Sequence, residues 1–583
     1  MIKQQLTAVV TQALLACRDA GDFELPEAAA LPAFEIDVPR NPEHGDYATN
    51  VALALVGVLP RPRPQPRQVA ERIAARLRFA DNSPLRSAEV AGPGFINFRL
   101  APGALSDALR AIVGAGKDFG RSPEVGAGRS VLIEFVSANP NGPITVAHGR
   151  GGAIGDALAA LLEWTGHRVG REFYINDATN SLQMKTFARS VFARYRQLLG
   201  HDDPIPEDGY PGEYVQDIAR GILEREGPAH ENRTPEEAVP VFQDLAIQGM
   251  QAQQEAALGA FGIRFDTWFS ENALHRDGAV EAVLADLKRR GHAYEQNGAL
   301  WLRSTAFGDD KDRVLVRAEG SATYIAGDLA YHKNKLERGW DRLVNIWGAD
   351  HHGYVGRTRA GLAALGFDSD RLEVLVYQLV RLLKDGQEVK MGKRAGNIVT
   401  LDELLDEVGR DAARFFFLFR SPDSPLDFDL DLAKKQEKDN PVYYAQYAHA
   451  RCCSVFRKAE LAGVPVPEPD AATLDPTLLA HPDEIALIKK LADLPEEVRQ
   501  AAAGCAPHRI PRYVLDLAAL FHGYYDLGNR DAALRFVRPD EPALTAARLL
   551  LVRGVQTVLA NAFSLLGISA PERMTREEDE DAG

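Results

Sequence analysis

Cysteine is scarce in this chain. Four occur in 583 residues, at Cys17, Cys452, Cys453 and Cys505, with no Cys-x-x-Cys pair. That usage argues for reduced thiols, and against a disulfide framework or a structural zinc site. Apolar runs of about twenty residues are also missing, so no membrane span is expected. Positive charge falls short as well: 67 Lys and Arg against 82 Asp and Glu leave a net charge of −15. Any polyanion-binding face must then come from local basic clusters and not from the total. From residue 441 onward 15 basic residues meet 20 acidic ones, and five of those acids form the run Glu577–Asp581. This tail reads as a solvated end. The first 28 residues form an amphipathic helix followed by acids. They lack the layout of a secretory signal, which points to the cytoplasm.

What is present concentrates in "VLIEFVSANPNGPITVAHGRGGAIGDALAALLEWTGHRV", residues 131–169. A β-branched run leads to a turn around Asn139 and Gly142, then to His148, Gly149 and Arg150 at the head of an apolar-periodic helix. Strand, polar loop, glycine-flanked His and helix is an order that builds a nucleotide site at the carboxyl end of a parallel strand. The glycines would let a ligand approach the backbone. Plain α/β packing can produce the same order. The wording is more telling. It resembles the first signature of class I aminoacyl-tRNA synthetases, His-Ile-Gly-His, and "EFVSANPNGP" resembles the arginyl-tRNA synthetase version. Two departures stand out: Thr145 takes the place of the first His, and Ala147 that of the Gly.

That resemblance implies a lysine loop far downstream, and "QEVKMGKRAGNIVTLDELL", residues 387–405, supplies one. It is similar to the family's Lys-Met-Ser-Lys loop, with Gly392 replacing Ser. Lys390 and Lys393 would neutralise the β- and γ-phosphates of ATP, with Met391 beside the nucleotide. His148 and Thr145 would stabilise the phosphate oxygens from the other side, and Gly149 would lie against ATP. "LVNIWGADHHGY" ends a strand in Gly348 and Asp350, which the resemblance places on the ribose of ATP, with His352 toward the substrate. The pair of His might suggest a metal, but no third ligand sits at metal spacing. Magnesium would arrive with ATP, and no zinc is expected.

A guanidinium needs carboxylate acceptors. Glu134 interrupts an apolar strand, where an unpaired buried carboxylate would be costly. Tyr324 and Asp328 stand four apart in "TYIAGDLAYH" and share one face if that segment is helical. The resemblance implies that Tyr324 and Asp328 grip the guanidinium, while Glu134 and Asn139 hold the α-amino end.

The expected fold is multidomain α/β. Residues 1–115 form a small α/β domain, in which "GDYATNVAL" and "GPGFINF" resemble the N-terminal tRNA-contacting domain of the same family. Phe95 and Asn97 are its candidate RNA contacts, although Phe95 could equally be core. A Gly-rich linker at 114–129 leads to a Rossmann-like parallel-sheet catalytic domain, 125–385, with a mostly helical insertion at about 180–300. The phrase "YPGEYVQDIA" within that insertion is again family-like. A connector at 386–440 carries the lysine loop and contacts the tRNA stem. An all-helical domain, 441–583, resembles the family's anticodon-binding domain, including "DAALR" at 531–535. There Tyr443, Tyr447 and Arg451 could stack on bases or simply fill a core. The resemblance runs from about residue 36 to Met574. It implies an enzyme that joins arginine to tRNA(Arg) through arginyl-adenylate, with arginine, ATP and tRNA(Arg) as partners and, by family habit, a monomer. A cysteine-specific class I enzyme would need zinc ligands that this chain lacks, and a tRNA-binding paralogue without catalysis is the remaining rival.

Overall fold

Val131, Leu132 and Ile133 lie in a strand buried along its whole length, β1 (Ser130–Glu134). Such continuous burial is the mark of a parallel sheet covered on both faces. Its neighbours are β2 (Arg168–Ile175), β3 (Thr267–Ser270), β4 (Arg342–Gly348) and β5 (Leu372–Tyr377), in the order β5-β4-β1-β2-β3 and all parallel. Helix α1 (Val146–Trp164) returns the chain from β1 to β2, α2 (Tyr324–Glu337) precedes β4, and α3 (Tyr354–Ala364) joins β4 to β5. The strand order reverses between β1 and β4. The carboxyl ends of those strands therefore open a crevice, the usual ligand position in an open α/β sheet. The computed structural model describes residues 2–23, 31–39, 41–79, 83–101, 103–178, 181–351, 353–389, 399–466 and 475–574.

The stretch expected to be a helical insertion is helical only in part. Helices Leu182–Leu198, Glu213–Glu226 and Pro235–Ala260 pack around Phe187, Phe192, Tyr195 and Phe242. After them the chain lays down β3 as the outer strand of the main sheet. It then forms an antiparallel sheet of Ala293–Gln296, Ala299–Leu302 and Arg313–Val316. Each of these strands has four residues, too few to show a period in the sequence.

The N-terminal helix, Ile2–Asp19, presents Leu6, Val10 and Leu14 to a four-stranded antiparallel sheet. "AEVAGPGFINFRL" is a hairpin, Leu85–Ala91 and Phe95–Leu100, turning at Gly92 and Gly94, both at positive φ. The expected linker at 114–129 is anchored. Asn561 Nδ2 donates to the carbonyls of Gly116 and Phe119 at 2.9 Å, and Arg121 lies 4.7 Å over the Trp164 ring.

Past residue 399 the chain is mainly helical, with α4 (Arg410–Phe419), α5 (Pro441–Leu461), α6 (Arg509–Arg530) and α7 (Pro542–Leu566). Contrary to expectation, α7 is long and apolar enough to cross a membrane; Arg548 and Arg553 interrupt its run without lowering its average hydropathy below that level. Some 72% of its most apolar stretch is buried inside the protein, where it forms the centre of the helical core. Arg414 on α4 ties the parts together. It is fully buried, donating to Leu566 O at 2.7 Å, Phe261 O at 3.2 Å and Asp156 Oδ2 on α1 at 2.5 Å.

Candidate active site

Immediately after β1 the backbone turns sharply. Val136 and Ser137 adopt φ of 68° and 41°, a left-handed conformation that a β-branched residue rarely takes. Ser137 Oγ holds it in place, donating to Glu134 Oε1 at 3.1 Å and accepting from Tyr174 N at 3.1 Å. The following turn is gripped by the insertion. Gln254 Nε2 donates to Asn139 O at 3.0 Å and Gly142 O at 2.8 Å. Asn141 bonds Tyr210 Oη through its side chain at 2.9 Å, and Tyr214 Oη through its carbonyl at 3.1 Å. The tyrosines of "YPGEYVQDIA" thus hold the first signature. Asn139 is exposed, and its Oδ1 accepts from Asn176 at 2.9 Å.

Thr145 is the N-cap of α1, in a reciprocal box with His148. Its Oγ1 accepts from His148 N at 3.3 Å, and its own N–H donates to His148 Nδ1 at 3.2 Å. An Nδ1 that accepts leaves the proton of the neutral ring on Nε2. Burial lowers the His148 pKa to about 4, with Asp350 opposing weakly, so the ring is a neutral Nε2–H donor at pH 7. The Thr145 hydroxyl, expected to face ATP, is engaged in orienting this His.

The glycines after His148 serve packing. A Cβ at Gly149 would sit 2.8 Å from Leu401 Cδ1, at Gly151 2.8 Å from the Tyr377 ring, and at Gly155 2.3 Å from the Phe135 ring. Protein side chains approach these glycines closely, which is a packing reason for glycine at 149, 151 and 155. Leu401 belongs to the downstream flank of the lysine loop. Val146 N donates to Val399 O at 3.3 Å, Leu401 N to Ile144 O at 2.8 Å, and Thr145 bridges Thr400. Lys390, Met391 and Lys393 lie outside the described residues, as does His352. At the end of β4, a Cβ on Gly348 would meet Asp350 Oδ1 at 2.6 Å, because that carboxylate folds back over the glycine. Asp350 is otherwise open, its side chain 78% exposed and 3.2 Å from His351 Nδ1.

Glu134 has partners on both oxygens, as the cost of leaving a buried carboxylate unpaired requires. Oε1 takes the Ser137 hydroxyl, and Oε2 forms a short ion pair with the buried Lys335 on α2. Helix α2 does begin at Tyr324, which places Tyr324 and Asp328 on one face, Tyr324 at its exposed end. Asp328 has no ion pair or side-chain hydrogen bond among the described residues. Its pKa is pushed up to about 7 by burial first, then by Glu134 and Glu271, against Lys335 and Arg357. Glu271, at the end of β3, is likewise raised to about 7 by burial and by Asp177. The His275 ring lies 3.9 Å from its Oε1. Sequence reasoning missed Glu271 and Asp177. The available signal was an acid just beyond the carboxyl end of a parallel strand, as with Asp350, but β3 itself went unrecognised.

Three family models match the chain in succession. Residues 2–100 match the arginyl tRNA synthetase N terminal domain, 239–417 the catalytic domain of class I tRNA synthetases (R), and 445–574 the DALR anticodon binding domain. The arginine–tRNA ligase of Heliobacterium modesticaldum is 48% identical over 575 residues, covering 98% of this chain and 99% of its own. The chain belongs to the arginyl-tRNA synthetase family. The counterpart from Syntrophotalea carbinolica is 49% identical over 98% of this chain and 100% of its own. The solved Thermus thermophilus arginyl-tRNA synthetase superposes with a TM-score of 0.77 at 26% identity, covering 98% of this chain and 100% of that one.

The candidate RNA contacts of this arginyl-tRNA synthetase chain divide. Phe95 is 39% exposed, but Asn97 is only 4% exposed, which corrects its assignment as an RNA contact. It lies mid-strand, paired with Ala48 on one side and Glu89 on the other. Tyr443 and Tyr447 stack at 5.8 Å, and the Arg451 guanidinium lies between the Tyr447 and Tyr525 rings at 4.7 and 4.5 Å. Tyr443 is buried, so this face is largely packed. "DAALR" has a structural job: Asp531 caps a 3-10 turn, and Arg548 donates to the carbonyls of Ala533 and Arg535, both at 2.8 Å.

Proposed function

We propose that arginine and ATP meet in the crevice at the ends of β1 and β4. As an arginine–tRNA ligase the chain charges tRNA(Arg) with arginine, by the route general to the family. The amino acid's carboxylate attacks the α-phosphate of ATP and releases pyrophosphate. The arginyl group then passes to the terminal ribose of the tRNA. No covalent enzyme intermediate is needed, and catalysis rests on positioning and charge stabilisation.

The observation that carries the site assignment is the acid pair Asp328 and Glu271, held near neutrality by burial with no Lys or Arg of the chain among the described residues paired to either. A guanidinium supplies the missing charge and a planar fork of donors. In this reading Asp328 and Glu271 take the guanidinium and Tyr324 closes the rim. Asn139 serves the α-amino side, while Glu134 contributes its negative field. His148 Nε2–H, Lys390 and Lys393 face the phosphates, with Met391 and Gly149 near the nucleotide and Gly348, Asp350 and His352 on the ribose and substrate side. Among the described residues no cluster of His, Cys, Asp and Glu is arranged to hold a metal. Magnesium is therefore assigned to the ATP phosphates and water, and no zinc is invoked. We take the working unit to be a cytoplasmic monomer divided at about residues 115, 385 and 440, with tRNA reached through Phe95 and the Tyr447–Arg451 face.

ATP–pyrophosphate exchange, measured with and without tRNA(Arg), tests this. Exchange that depends on arginine is expected, while its absence in every condition, or exchange with cysteine alone, overturns the reading.

A further inference from the structure

The Lys335 ammonium lies 201 positions from Glu134 in sequence, and both are buried against the sheet. Besides that ion pair, Nζ donates to Asn345 Oδ1 on β4 at 3.2 Å and lies 4.1 Å from the centre of the Tyr331 ring. An ammonium can only donate, so Oδ1 must face it, and the Asn345 amide must turn its Nδ2 the other way. Nδ2 lies 2.8 Å from His332 Nε2, which therefore accepts. The His332 proton is then on Nδ1, 2.8 Å from the carbonyl oxygen of Asp328. Direction is set at every link, from Lys335 through Asn345 and His332 to the backbone of Asp328. Burial and the nearby Lys335 lower the His332 pKa to about 3, so the ring stays neutral and keeps this role across the working pH range.

We propose that Lys335 is a positioning residue for arginine recognition. It fixes Asp328 through Asn345 and His332, and it offsets the charge of Glu134 beside the pocket. This rests on the assignment of Asp328 and Glu271 to the guanidinium. The charged groups around Asp328 are Glu134 from β1, Glu271 from the helix after β3, Lys335 on α2 itself and Arg357 from α3. Beyond them, Asp177 acts on Glu271, and Glu172 is matched by Arg338. Lys335 is the buried cation of this set, so its removal leaves a net negative enclosure in which protonation of Asp328 is favoured at higher pH.

The test compares Lys335→Met, Asn345→Ala and Asp328→Asn with the unmodified enzyme in full aminoacylation, reading KM for arginine and KM for ATP between about pH 6.5 and about pH 8.5. Lys335→Met is expected to raise the arginine KM by about tenfold at neutral pH, more at the acidic end, with the ATP KM nearly unchanged. Asn345→Ala, which keeps the cation but cuts the relay, raises the arginine KM less and leaves its pH profile in place. If Lys335→Met does not fold, Lys335→Gln removes the charge while keeping a polar side chain, and is judged by the same criteria. The proposal is overturned if Asp328→Asn raises the arginine KM but Lys335→Met does not. It is equally overturned if both KM values rise together with the pH profile unmoved, which is the sign of mere packing. If Asp328→Asn itself leaves the arginine KM unchanged, the pocket assignment fails, and this proposal with it.

Discussion

Glu134 and Glu172 sit side by side in the sheet, and Asp328 and Glu271 look toward them across the crevice, yet the two sets are matched very differently. Glu172 is fully buried and takes Arg338 through two hydrogen bonds, at 2.6 and 2.9 Å, and Tyr331 Oη at 2.7 Å. Glu134 has Lys335. Asp328 and Glu271 have no such partner among the described residues, and both are pushed up to about 7. A partly buried carboxylate without a cationic partner is unfavourable. On the proposed reading the matched set shapes the walls, and the unmatched set takes the guanidinium of arginine.

Glu172→Gln should break this comparison most severely. Arg338 loses its counter-charge and one of the two carboxylate oxygens becomes an amide donor, which costs about 3 kcal/mol of stability by chemical denaturation, while the arginine KM of the surviving folded enzyme changes little. Asp328→Asn should do the reverse, raising the arginine KM by about a hundredfold with stability at pH 8 equal or improved. Loss of stability with unchanged KM would exchange the two roles.

pH supplies a finer test. The folded pKa of Asp328 and Glu271 lies above the unfolded value. These groups therefore favour the folded state more as pH falls from about 7 toward about 4, and disfavour it above about 7. His148, lowered to about 4, acts in the opposite sense, losing stability as pH falls from about 6.5. The difference made by arginine isolates the acids: saturating arginine should raise Tm more at about pH 8 than at about pH 5.5. An equal shift at both would remove these carboxyls from the pocket.

The smallest effect is expected at the cap. Thr145→Ala should lose about 1 kcal/mol of stability and lower kcat modestly, with both restored in Thr145→Ser. Thr145→His would add a second imidazole at the cap. A large gain in rate would show that the Thr compromises the site, and little change would show that orienting His148 is all the position requires.

Much of this was legible locally. The run Val131–Ile133 read as a buried strand, Tyr324–Asp328 as one helix face, and Asp350 as the acid beyond a strand. The sequence was silent where distant segments meet. Nothing in the letters around Glu134 announces Lys335, because the pair forms only once helix α2, 201 positions away, lies against the sheet. Glu271 was hidden behind a four-residue strand without periodicity. The packing role of the glycines from 149 to 155 was hidden for a related reason, since absent side chains look alike whether a ligand or a neighbouring ring fills the space. The burial of Asn97 was not legible because packing over the strand decides it, and the exposed Phe95 and Arg99 flank it in the same strand.

The grip of the insertion on the first-signature turn bears on engineering. Gln254, Tyr210 and Tyr214 satisfy backbone or amide groups at positions 139 to 142 from two separate insertion segments. A trimmed catalytic core made by splicing out residues 182–266 would strand those carbonyls and lose β3's approach to the sheet. Redesigning this enzyme toward a smaller scaffold should therefore begin elsewhere, because what looks like an appendage in the linear map is the clamp that gives the turn its shape.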